Sequence, residues 1–356
     1  MKNKVFILLL ILTLSVPIHV CGQKNSNPRD KFTLLTMPYN KRQLTLYRGQ
    51  LQANAGYKFA VRARNYDKNG DLLVLKDEGT ASVFHYYFLQ VRYGITNFLE
   101  LSAETNYLKH GVRSLTTEYY SLTDNISVNT LSTKKGMGDM LLLGSARLPV
   151  TFKWFDFGIK GGMFIPTSKY EPLKPTHTVT SVTAVNTFTV NYHYNNTNGF
   201  GVPVYLFGAA AKFCYSKLSL ETDFSFRTPS KEGENIRWNE TLATNKTFSY
   251  SNKTYKYLLN NTVEFNASLH FQATGWFNIE LNSNYYSSKG GWTEYLGAKY
   301  KNPEEYLFSL EPAFEIQISP ALRIYELAGF PLSGKNKDAP FYLFMTLSYN
   351  IFPFLK

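Results

Sequence analysis

The stretch Leu51-Gln52-Ala53-Asn54-Ala55-Gly56-Tyr57-Lys58-Phe59-Ala60-Val61-Arg62-Ala63-Arg64 decides the fold class. Leu51, Ala53, Ala55, Tyr57, Phe59, Val61 and Ala63 fall on one face of an extended chain. Gln52, Asn54, Gly56, Lys58, Ala60, Arg62 and Arg64 fall on the other. Side chains of a strand alternate with period two, so this reads as one strand. Its length exceeds the ~5–6 residues of an ordinary globular strand and suits the ~9–11 residues that cross a bilayer obliquely.

Working outward, the same alternation returns many times. In Phe98–Lys109, Leu99, Leu101, Ala103 and Tyr107 oppose Glu100, Ser102, Glu104 and Asn106. Asp156–Pro166, Lys217–Arg227, Asn260–Gln272, Phe277–Tyr286, Tyr306–Ile318 and Phe341–Phe352 follow suit. Four segments alternate less cleanly: Ser82–Tyr93, with aromatics on both faces; Gly138–Leu148; Phe200–Phe213; and Leu322–Phe330, where Arg323 and Glu326 oppose each other. The total is about twelve strands, an even number, as bacterial single-chain barrels have. Pro203 and Pro312 fall inside these strands and cannot donate to a ladder; a frayed start and a bulge are expected there.

The connections sort by length. Gly94–Asn97, Pro149–Phe155, Cys214–Ser216, Ala273–Trp276 and Ser319–Ala321 are short. Asn65–Thr80, His110–Gly136, Pro166–Gly199, Thr228–Leu258, Ser287–Glu304 and Pro331–Pro340 are long and polar, and the two kinds alternate. That is the sidedness of an outer-membrane barrel, with tight periplasmic turns and long outer loops. The expected fold is therefore all-β: a transmembrane antiparallel up-and-down barrel over residues 49–356. Thr178–Val190 has the alternation of a hairpin standing above the membrane.

Composition agrees. The chain has 356 residues, 44% hydrophobic, 16% aromatic and 18% charged. This excludes intrinsic disorder, which goes with low hydrophobicity and few aromatics. With a mean hydropathy of -0.25 and no apolar run of ~20 residues beyond the N-terminus, helical spans are excluded too. Lys2 and Lys4, the apolar run Val5–Val16 and the exit near Gly22 read as a signal peptide over 1–22. Cys21 admits the alternative of a lipid anchor, although Ile18-His19-Val20 lacks the small residues such a signal wants. A cut after Gly22 leaves Cys214 alone, so no internal disulfide is expected. It also removes two lysines, taking the formal charge from +12 to about +10. No Lys/Arg cluster marks a nucleic-acid surface; attraction to anionic outer-membrane lipid explains the excess. Residues 23–48 are too irregular to assign and read as a periplasmic lead-in or a plug.

Three stretches carry a family resemblance: Tyr93-Gly94-Ile95-Thr96-Asn97-Phe98-Leu99-Glu100-Leu101, Gly136-Met137-Gly138-Asp139-Met140-Leu141-Leu142 and Gly161-Gly162-Met163-Phe164-Ile165-Pro166-Thr167. The chain resembles, over roughly Gly49 to Phe352, the outer-membrane transporter family named after a phenol-degradation pathway. The resemblance implies a barrel and says little about substrate. The closing strand also looks like a signal for the barrel-assembly machinery, although Pro353-Phe354-Leu355-Lys356 follow it.

The polar phase supplies candidate lumen residues: Lys58, Arg62, Arg92, Glu100, Glu104, Asp139, Arg147, Asp156, Lys160, Glu221, Asp223, Arg227, Glu264, Glu280, Glu311 and Glu315, with Arg64 and Arg323 in the same phase. Ten acids against eight bases is close to balance, which argues against strong ion selectivity. One reading is a solute path, since lumen charges tune selectivity; the other is an ion-pair network filling the interior. The functional expectation is passive passage of small solutes, hydrophobic or aromatic ones included, with no cofactor. The alternative is a structural or surface-binding barrel with a closed, salt-bridged lumen. A lipase-type enzyme is a third reading, on His110 and Ser114, but nearness in sequence does not establish a triad. His177 and His193 lack the short-spaced partners of a metal site.

Overall fold

The computed structural model describes residues 44–74, 82–120, 124–149, 154–167, 176–182, 185–198, 200–242, 248–295, 297–319 and 321–351. The signal peptide, Cys21, residues 23–43 of the lead-in and the C-terminal residues 352–356 lie outside them, as do the side chains of 110–135, 176–198 and 235–255.

Twelve long strands carry the fold: β1 (Leu51–Arg62), β2 (Ser82–Gly94), β3 (Leu99–Tyr120), β4 (Met140–Arg147), β5 (Phe155–Ile165), β6 (Val204–Tyr215), β7 (Leu218–Pro229), β8 (Asn261–Gln272), β9 (Phe277–Lys289), β10 (Glu305–Gln317), β11 (Leu322–Lys335) and β12 (Phe341–Ile351). Each pairs antiparallel with its neighbours in chain order. β12 then returns to β1, from Leu51↔Ile351 to Val61↔Phe341, so the sheet closes on itself. Closure leaves no edge, the condition for a sheet in hydrocarbon, where each unpaired backbone group costs several kcal/mol.

The two faces are inverted relative to a soluble protein. On β12, Leu343, Leu347 and Tyr349 are about half exposed, while Thr346 and Asn350 in the opposite phase are buried. On β9, Ile279 and Leu281 are exposed, and Asn278, Glu280 and Asn282 are buried. Apolar side chains face outward to lipid and polar ones face the interior, as expected from the alternation.

The turns between β2 and β3, β4 and β5, β6 and β7, β8 and β9, and β10 and β11 are short and share one end. Among the described residues, the long connections at the other end are largely strand rather than loop. The expected loop His110–Gly136 is a correction: β3 continues to Tyr120 and pairs with the strand Asp124–Gly138, as Leu115↔Thr130. Thr176–Val182 and Val185–Asn198 form the expected hairpin, and the latter runs parallel to Asp124–Gly138. Gly233–Leu242 and Phe248–Leu258 form another.

The less regular segments resolve physically. Register places Arg323 opposite Gln317, inward, and Glu326 opposite Phe314 and Met345, outward. Pro203 precedes β6 rather than lying within it. Pro312 faces outward opposite Leu281 without a register shift. Toward β11 the ladder steps from Leu310↔Phe330 to Ala313↔Leu327, and the bulge falls between Phe308 and Ser309. The proline therefore sits in a gap in the ladder, a few residues from the expected bulge.

Candidate functional site: the inner wall of the barrel

Directly opposed residues of an antiparallel pair share a face, so register identifies the inner wall. From β2 to β9 that wall is a belt of ion pairs between neighbouring strands. Arg92 Nε and Nη2 donate to the two oxygens of Glu100 at 2.8 and 2.9 Å, a bidentate fork. Arg92 Nη1 also donates to Gln52 at 3.0 Å. Asn54 donates to Gln90, and Gln90 in turn to Glu104 at 2.9 Å. Arg147 lies 3.5 Å from Asp156, Lys212 3.7 Å from Glu221, and Arg227 2.7 Å from Glu264. His270 Nδ1 lies 3.0 Å from Glu280, both nearly out of solvent contact.

One pair skips a strand. Lys160 on β5 donates to both oxygens of Asp223 on β7, at 2.6 and 2.7 Å. The intervening β6 residue opposite Lys160 is Gly208. A Cβ there would overlap the Phe224 carbonyl oxygen and stand 2.6 Å from the lysine Cε, so the glycine lets both come close.

The remaining candidates sit at the ends or elsewhere. Asp139, at the long-loop end, accepts from the backbone N–H of Thr167 at 3.2 Å and of Phe200 at 2.6 Å, gathering two connections. Arg62 meets Asp338 at 2.9 Å at the same end, and Arg64 is exposed beyond β1. Asn278 donates to Glu315 at 3.3 Å. Glu311 accepts from Ser309 at 3.0 Å and from the Tyr342 hydroxyl. Lys58 places its ammonium 3.6 Å above the Tyr342 ring.

At the short-turn mouth the chain preceding β1 lies against this wall. Leu44 N–H donates to Asp156 at 3.0 Å and Leu46 N–H to Glu100 at 2.9 Å. Two candidate carboxylates thus hold backbone of the segment that leads into β1.

Sequence reading missed Lys212, Lys337 and Asp338, because β6 alternates weakly and residues 337–338 sit in a long connection. It also missed an inner aromatic group: Phe84, Tyr86 and Phe88 on β2, Tyr342 and Phe344 on β12, and Tyr325 on β11. Alternation identifies polar-in, apolar-out strands, and inward aromatics give no such signal. His110 and Ser114 lie on β3 itself, with side chains outside the described residues, as are those of His177 and His193. Among the described residues no group of three or more His, Cys, Asp or Glu is placed to hold a metal.

No family model and no curated protein matches the chain. Among solved structures, the COG4313 outer membrane channel from Pseudomonas putida F1 superposes with a TM-score of 0.59, at 12% identity, over 86% of this chain and 97% of that one. The chain is an outer-membrane β-barrel. A TodX deletion mutant, described as a monoaromatic hydrocarbon channel, gives a TM-score of 0.45 at 9% identity, over 86% of this chain and 91% of its own. CymD, likewise described, gives 0.40 at 10% identity, over 92% and 94%. At 12% identity the likeness to the Pseudomonas channel is one of fold. No family model supports the expected likeness to the transporter family named for phenol degradation; the stretches that prompted it fall at the β2–β3 turn, the entry to β4 and the exit of β5.

Proposed function

We propose that the protein is a passive outer-membrane channel for small solutes, hydrophobic or aromatic ones among them. The observation that carries this is the division of the inner wall into an ion-paired belt and an aromatic patch inside a closed barrel. Rings turned inward and left partly exposed offer a solute a surface that ion pairs do not. On this reading the charges mostly neutralise one another and leave a path of low selectivity, in which Lys58, Arg92, Glu104, Lys160, Asp223, Arg227 and Glu264 meet the solute. Residues 1–22 direct export, and the barrel-assembly machinery inserts the mature chain.

The second reading is a closed structural or surface-binding barrel. It is favoured by the density of ion pairs and by Leu44–Gln50 lying across the short-turn mouth on Asp156 and Glu100. Planar-bilayer recording of the refolded chain separates them. Discrete single-channel steps with weak ion selectivity support the channel; a silent bilayer with demonstrably folded protein supports the second reading.

A further inference from the structure

Two glycines explain how the aromatic patch is built. Gly56 on β1 stands between Phe88 and Thr346 in one rung of the wall. A Cβ on Gly56 would overlap the ring of Phe88, so that ring lies directly over the glycine. From there it reaches across β1 to Phe344 on β12, with centroids 5.3 Å apart and planes 20° from parallel. Gly329 on β11 repeats the device, since a Cβ there would overlap the ring of Tyr342. Tyr325 closes the group edge-on, 6.5 Å from Phe344 at 72°.

Glycine inside a strand gives up packing and weakens the ladder, and it often marks close approach of another group. Here two glycines admit rings against the inner wall. The polar groups at the rim are engaged with one another: the Lys58 ammonium lies over the Tyr342 face, and the Tyr342 hydroxyl donates to Glu311. What the patch offers the interior is thus aromatic surface, with the charges of Lys58, Glu311 and Glu280 held at its rim. Phe88, Phe344 and Tyr325 are each partly exposed. Aromatic surfaces prefer offset stacked or edge-on partners.

We infer that Phe88, Phe344 and Tyr325, seated by Gly56, form a binding subsite for an uncharged flat-ring solute. This rests on the channel reading and specifies where in the channel such a solute pauses. A packing role alone predicts no ligand affinity.

The test uses the full mature chain in detergent, its folding checked by gel mobility before and after boiling. It is titrated calorimetrically with nicotinamide, a flat neutral ring, and with succinamide, an open-chain diamide. Saturable binding of nicotinamide alone is expected. Phe344→Ala should weaken it about tenfold, the scale of one lost aromatic pair. Gly56→Ala keeps both rings but displaces Phe88, and should weaken binding in the same direction; Phe344→Leu replaces Phe344→Ala if the latter does not fold. Equal binding of the two amides, or binding unchanged in the variants, overturns the subsite. Conductance of the same samples separates the two ideas. Conductance without nicotinamide binding removes the subsite and leaves the channel; ring-selective binding without conductance leaves the subsite and removes the channel.

Discussion

Gln50 donates its side-chain amide to Asn350 Oδ1 at 3.1 Å, joining residues 300 positions apart inside the wall. Asn350 is fully buried, and its own backbone N–H donates to Ala321 at 2.8 Å. The contact fastens the entry of β1 to the end of β12, where the barrel closes. Asn350→Ala leaves the Gln50 amide buried without this acceptor, which costs about 1–3 kcal/mol. The expected result is a lower urea midpoint for loss of the heat-modifiable folded band, with little change in the slope of the transition. An unchanged midpoint would show that the closing seam draws no stability from this bond.

Lys160 and Asp223 give the second prediction. Asp223→Ala removes the partner of an ammonium that is 19% exposed and whose counter-ion is 29% exposed. Partial solvation softens the penalty of a broken buried pair, so a cost of about 1–3 kcal/mol is expected. In a channel the freed lysine also shifts selectivity toward anions. Reversal potentials in a salt gradient check this; a shift toward cations would contradict the placement of Lys160 on the solute path.

Glu326 faces lipid between Phe314 and Met345. Among the described side chains it is the one carboxylate on the outward face of the twelve strands. A charged side chain on the lipid face destabilises a barrel in a depth-dependent way, less for Glu than for Lys or Arg. Glu326→Leu should therefore raise stability by about 1–2 kcal/mol. Chemical unfolding in phospholipid vesicles measures it, and a destabilised variant would mean that the carboxylate meets something other than lipid.

Asp67 gives a pH prediction outside the membrane. It caps the turn between Arg64–Tyr66 and Leu72–Val74, accepting at 2.8 Å from the N–H groups of Asp71 and Asn69. The Asp71 bond chiefly, with help from Asn69 and Gly70, holds the carboxyl below its usual range. A depressed carboxylate contributes stability above its unfolded pKa and loses it as pH falls through the folded one. Acidification should thus speed proteolysis within residues 63–74 by an acid-active protease, and Asp67→Ala should abolish that dependence. Cleavage independent of pH in the wild type would refute the capping role.

Much of this architecture is legible in single segments. Leu51–Arg64 shows its two faces without any neighbour, because period-two alternation is a property of the local chain. The same holds for Glu100, Glu104, Lys160 and Asp223, whose inward phase follows from the residues beside them. Where a segment carries aromatics on both faces, as β2 does, or opposed charges, as Arg323 and Glu326 do, local pattern gives two equal answers. Only pairing selects one, with β1 and β3 for β2 and with β10 and β12 for β11.

Alternating strands long enough to cross lipid, with short turns at one end and long connections at the other, are written in the chain itself and call for a barrel. Tertiary structure decided which residues meet. Lys160 reaches Asp223 over Gly208, Phe88 reaches Phe344 over Gly56, and Gln50 finds Asn350, because closure and register bring distant segments together at fixed heights. Alternation says which way a side chain points, whereas its partner depends on how every strand between them is staggered.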